Sequence, residues 1–132
     1  MSFAADISRF VERAGGNMDT AVRQATVMLA QGVILKSPVD TGRFRANWTF
    51  AAGAVPGGTS AALDQDGRTT LSRLVAQIGV SPVGGLTYLA NNLPYALRLE
   101  NGYSDQAPQG MVKLTAMEFQ DYVSQAAREA NR

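Results

Sequence analysis

The side chains best able to do chemistry are two carboxylates, Asp40 and Glu100, and a cluster of Arg43, Arg45 and the chain's single tryptophan, Trp48. Paired carboxylates hydrolyse glycosidic bonds when both flank one cleft at a defined separation. Here each carboxylate sits instead in a turn that holds a glycine, Asp40-Thr41-Gly42 and Glu100-Asn101-Gly102. In such turns a carboxylate usually caps backbone N–H groups. The chain has no His and no Cys. That removes the commonest general base, the thiol nucleophile, the thiolate and imidazole ligands of zinc, and any disulfide scaffold. There is no Gly-x-Ser-x-Gly elbow, and neither Gly-rich stretch is followed by the Lys and Ser or Thr of a phosphate loop. The sequence therefore predicts a protein that is not an enzyme and uses no cofactor and no metal.

Binding is the next possibility. Arg43 and Arg45 alternate with Phe44 and Ala46 ahead of Trp48, and Arg68 and Arg73 lie further on. Basic and aromatic side chains on a strand serve single-strand nucleic-acid binders. A two-residue alternation, however, sends the aromatics to the opposite face from the arginines. The net charge of +1 supplies no long-range attraction for a polyanion. Core aromatics with surface arginines explain the pattern more cheaply, and a small nucleic-acid-binding module stands as the alternative of another class.

These residues must be placed by the elements around them. At 132 residues, 45% apolar and 17% charged, the chain reads as one α+β domain over 1–132. Phe3, Ile7, Phe10, Val11 and Ala14 repeat at helical spacing, Gly15-Gly16-Asn17 interrupts, and Met18, Val22, Ala25, Leu29 and Val33 resume. Met28 and Ile34 widen that second stripe, which suits either a core helix or one that also meets a neighbouring subunit. Gly32 lies beside it, where another backbone can come close. Pro38 ends the helix, Asp40 and Gly42 build a turn, and a strand is predicted over Phe44–Ala52 with Phe44, Ala46, Trp48 and Phe50 inward. Arg43, Arg45, Asn47 and Thr49 then face outward.

Residues 53–67 hold little but Gly, Ala, Ser and turn formers. So long a connection predicts a flexible loop that orders against a partner. A short helix capped by Thr69 or Thr70 follows, with Leu71, Leu74, Val75 and Ile78 as its face, then a Gly- and Pro-bearing loop. A second strand is expected over Leu86–Asn91, antiparallel to the first. A helical turn at Tyr95–Leu99 ends at Asn101-Gly102, and a broad apolar helix runs from about Met111 to Ala130. No apolar run reaches the length of a membrane span, and the N-terminus lacks the basic and apolar pattern of a signal peptide. Synthesis in a reducing, intracellular setting fits best.

Two stretches carry a family resemblance. The run Ser37 to Trp48 (Ser-Pro-Val-Asp-Thr-Gly-Arg-Phe-Arg-Ala-Asn-Trp) resembles the Pro-Val-Asp-Thr-Gly-x-Leu/Phe-Arg signature of the tail-completion, or neck (head–tail joining), proteins of tailed bacteriophages and prophages. Tyr88 to Ser104, with Asn91-Asn92-Leu93-Pro94-Tyr95-Ala96, Glu100 and Gly102, resembles the same family's second conserved segment, and Gln106 to Val112 continues the likeness. The resemblance covers nearly the whole chain except 53–67. It implies a structural virion protein with no reaction, forming a ring, typically six-fold, between the head connector and the tail. Tail-terminator or head-closure subunit is the alternative within that class. The implied partners are copies of itself, head-closure or connector proteins, and tail-terminator or tail-tube proteins. No membrane is involved, and DNA only passes through the ring's lumen. The implied location is the virion neck, after assembly in the host cytoplasm. The residues expected to shape the fold or its interfaces are Pro38, Asp40, Thr41, Gly42, Arg43, Arg45, Trp48, Tyr95, Glu100 and Gly102. An ion pair of Glu100 with Arg43 or Arg45, within or between subunits, is a further expectation.

Overall fold

The computed structural model describes residues 18–81 and 86–130, with side chains over 20–81 and 86–121. The predicted helix over Phe3–Ala14, its Gly15-Gly16 break and the Pro82–Gly85 loop lie outside the described residues. So do the side chains from Tyr122 onward that were assigned to the last helix's apolar face.

The architecture is α+β. Helix α1 spans Met18–Lys36, a single helical turn α2 spans Arg43–Ala46, and strand β1 spans Trp48–Ala52. Helix α3 (Arg68–Val80), strand β2 (Thr87–Asn91), the short α4 (Ala96–Glu100) and the long α5 (Val112–Ala130) follow. The strands pair antiparallel, Trp48 opposite Asn91 and Phe50 opposite Leu89. Along β1 Trp48 and Phe50 are buried while Thr49 and Ala51 are half-buried, the two-residue period expected of a strand with one inward face.

The core lies where α1, α3 and the two-stranded sheet meet. Ile34, Leu74 and Ile78 are almost wholly buried there, with Phe44, Trp48, Phe50, Leu93 and Met111 around them. Helix α1 packs on α3 along one side and on α5 along the other. This double contact corrects the predicted stripe. Val33 and Ile34 are buried as expected, but Val22 is exposed and the small Ala21 and Ala30 take inward places instead. Small side chains sit where two helices approach one shaft from different sides.

The strand predicted over Phe44–Ala52 begins late, at Trp48. Arg43–Ala46 is helical instead. The cause is local: Gly42 accepts the Ala46 N–H and Phe44 accepts the Asn47 N–H, so one turn closes before the chain can extend. The alternation of Arg with apolar residues was real, but a helical turn carries it. Asn47, expected outward, is 3% exposed.

Candidate functional site

The two stretches that carry the resemblance meet in space. Pro38–Phe44 forms one wall of a cleft of about 310 Å³, and Tyr95, Leu99, Tyr103 and Gln106 form the other. Gln106 ties the walls together in both directions. Its Nε2 donates to the Val39 carbonyl at 3.0 Å, and its Oε1 accepts the Val39 N–H at 2.8 Å. Tyr95 closes the inner end by packing its ring on Phe44 at 6.0 Å between centroids, and Phe44 meets Trp48 edge-on at the same distance.

The first wall is a corner built around a helix end. Helix α1 stops before Pro38, which removes an N–H donor and disfavours helical geometry in Ser37. The buried Ser37 hydroxyl donates to the Val33 carbonyl at 2.6 Å and accepts the Trp48 indole N–H at 2.8 Å. Trp48 is thus satisfied at its polar edge while its rings fill the core. Gly42 has φ 91°, and a Cβ there would lie 2.6 Å from the backbone of Asp64 and Gln65. Only glycine meets both demands.

Arg45 is the cap of α1. Its guanidinium donates to the carbonyls of Leu35, Ser37 and Gln65 at 3.1, 3.2 and 2.9 Å. Two of these acceptors lie at the helix C-terminus, where unpaired carbonyls and the helix dipole favour a cation. Arg43 donates from Nε to the Ser60 carbonyl, and Arg73 donates to the carbonyls of Ala46 and Trp48. Arg45 and Arg73 are therefore spent on the fold rather than held out as a basic strand. Asp40 is exposed, and its expected cap falls to Thr41, whose hydroxyl accepts the Arg43 N–H at 3.3 Å.

The second wall is a corner of opposite sign. Glu100 does not reach Arg43 or Arg45, which corrects the expected ion pair within the subunit. Its carboxylate accepts the N–H groups of Met111 and Val112 at 2.9 Å and of Lys113 at 3.1 Å. It caps the start of α5 from eleven to thirteen residues away. Burial alone would raise the Glu100 pKa. The three N–H donors, with the Lys113 charge, outweigh it and hold the carboxyl below its ordinary value. Gly102, at φ 89°, lets the intervening loop fold tightly, since a Cβ there would strike the Pro108 carbonyl.

Three contributors escaped the sequence reading. Asn47 clasps the long segment 53–67 by donating to the Ser60 carbonyl at 3.0 Å and accepting the Ser60 N–H at 2.8 Å. Asp64 accepts both the N–H and the hydroxyl of Thr70 at 2.7 Å, capping α3. Gln106 is the third. Asp64 carries a weak signal, an acid shortly before a helix; Asn47 and Gln106 carry none, because their partners lie far along the chain. Asn92 also holds the segment, donating to the Pro56 carbonyl at 2.8 Å and the Gly58 carbonyl at 3.2 Å.

At its rim the second corner is apolar and exposed. Leu97 and Tyr103 are each 73% exposed, and Arg98 stacks over the Tyr103 ring at 5.2 Å. Among the described residues no cluster of acids suits a metal ion, and no helix is long and apolar enough to cross a membrane. In comparisons with known proteins the chain matches no family model, no curated protein and no solved structure.

Proposed function

We propose that this chain is a structural subunit of a phage or prophage neck, which completes the tail and joins it to the head connector as part of a ring. One observation carries the proposal. The two stretches of the resemblance, separated by about forty residues of sequence, wall a single cleft and are bonded to each other through Gln106 and Val39. Their polar residues are occupied in building corners: Arg45 and Glu100 cap helices, and Trp48 anchors a turn. Beside that joint Leu97 and Tyr103 offer largely exposed apolar surface. Head-to-tail contacts between copies through such a surface close into a ring when the rotation allows.

Two measurements test the proposal. Mass measurement and negative-stain microscopy of the full chain are expected to show rings, most simply of six copies. Leu97→Asp with Tyr103→Ser should abolish them while leaving the thermal transition in place. If the wild-type chain is a monomer in solution, a joining assay decides. Heads and tails made without this chain should join when the purified wild type is added, and not when the double variant is added. Full joining without the chain would sink the proposal.

A further inference from the structure

Helix α5 packs on α1, but its described side chains add little to the core. The core cluster draws on α1, α2, α3, β1 and the loops, with β2 and α4 packed against it, yet none of the described α5 side chains belongs to it. Over 112–121 only Thr115 is buried, and Leu114 and Phe119 are half-buried. Thr115 is a poor anchor, because its Oγ1 has no hydrogen-bond partner. Beside it, a cleft of about 330 Å³ separates Met28 and Leu29 of α1 from Phe119 of α5. The Lys36–Glu118 ion pair, at 2.7 Å, has a largely exposed carboxylate and contributes little. By contrast α3 buries Leu74 and Ile78 completely. What fixes α5 is at its first turn: Met111 in the core, and the Glu100 carboxylate on three successive N–H groups.

We propose that α5 is a separable strap, which lifts from α1 as one unit about its first turn, while the core of α1, α3 and the two strands stays folded, and that Glu100 is its latch. Proteins open in such cooperative pieces, and those with few buried apolar contacts open first.

Amide hydrogen exchange on the full chain tests this. In the wild type, α5 amides should exchange at least tenfold faster than those of α3 and the β1–β2 ladder, with a weaker dependence on denaturant. Ile78→Val loosens only the core. It should speed core exchange several-fold and leave α5 unchanged, since the core is still packed when the strap is open. Glu100→Gln should speed α5 exchange about tenfold. A lock supplies the converse. The Cβ position of Gly32 lies 3.3 Å from the Thr115 Cβ, near the ~3.5–4.5 Å that a disulfide spans. The chain has no other cysteine. Gly32→Cys with Thr115→Cys, once oxidised, should bring α5 exchange down to the core rate, and reduction should restore the gap. Equal exchange rates in α5 and core, an equal response of both to Ile78→Val, or fast α5 exchange in the locked protein would each overturn the proposal.

Discussion

The two corners that wall the cleft solve one problem with opposite charges. At the first, the Arg45 guanidinium reaches the carbonyls that end α1; at the second, the Glu100 carboxylate gathers the N–H groups that begin α5. Each uses a positive-φ glycine, Gly42 or Gly102, to bring distant backbone into contact. They differ in what backs them. Behind the first stand Trp48, Phe44 and Ile34, all buried. Around the second stand exposed Leu97 and Tyr103, and α4 buries no residue. A cap backed by a core is a fixed joint. The second cap, with Met111 as its link to the core, leans more on its hydrogen bonds.

Substitutions should separate the corners by size of effect. Trp48→Ala removes a buried double ring and the partner of the Ser37 hydroxyl, and should cost about 3–5 kcal/mol in urea unfolding. A loss under ~1 kcal/mol would mean that the first corner is not the fixed joint described. Next comes Arg45→Met, which keeps the stem but strips three carbonyls of their donor. About 1–2 kcal/mol is expected, since part of the bonding is replaced by water. Glu100→Gln should cost about 1 kcal/mol at neutral pH, as for the loss of other helix caps.

The Glu100 variant also has a pH signature. The folded pKa of Glu100 is lowered, so its contribution is complete above the ordinary carboxyl pKa of about 4.3 and is lost as pH falls through the lowered value. The gap between wild type and Glu100→Gln should therefore close on acidification. Asp64 is lowered too: burial would raise its pKa, but its bonds to Thr70 outweigh that. It should add an acid-dependent loss common to both proteins. A gap that is constant from pH 7 to strong acid would remove Glu100 as the cap.

The smallest effect sharpens the comparison most. Arg45 and Glu100 serve different helices, so the double variant Arg45→Met with Glu100→Gln should be additive within ~0.5 kcal/mol. A larger coupling would revive the direct ion pair. Leu97→Asp alone should change stability by less than ~0.5 kcal/mol.

Much of the fold was legible because it rests on local rules. Pro38 and Gly42 mark a corner, Asn101-Gly102 marks a stop, alternation over Trp48–Ala52 gives one strand, and the run to Asn91 between turn residues gives its antiparallel partner. The error at Arg43–Ala46 shows the limit of periodicity. Four residues alternating in polarity fit a strand, and one closed turn after a positive-φ glycine fits them as well. The site was legible as a set of residues but not as a set of roles. Glu100 and Arg45 were singled out for their charge, and charge suggested that they pair. Their real partners are backbone groups, which every residue has and no sequence pattern marks. Asn47 and Gln106 were missed for the same reason.

The range over which each corner finds its partners also orders events during synthesis. The side-chain hydrogen bonds of Ser37, Arg45, Asn47 and Trp48, and the backbone bonds of Gly42, all fall between Val33 and Gln65. All of these precede the last third of the chain in sequence. The Val39–Gln106 tie and the Lys36–Glu118 pair span 67 and 82 residues, and must wait for it. Chains fold from the N-terminus as they emerge, and short-range contacts form fastest. The first corner is thus built from contacts that can form before α5 arrives, and α5 is laid along a helix already held at its end.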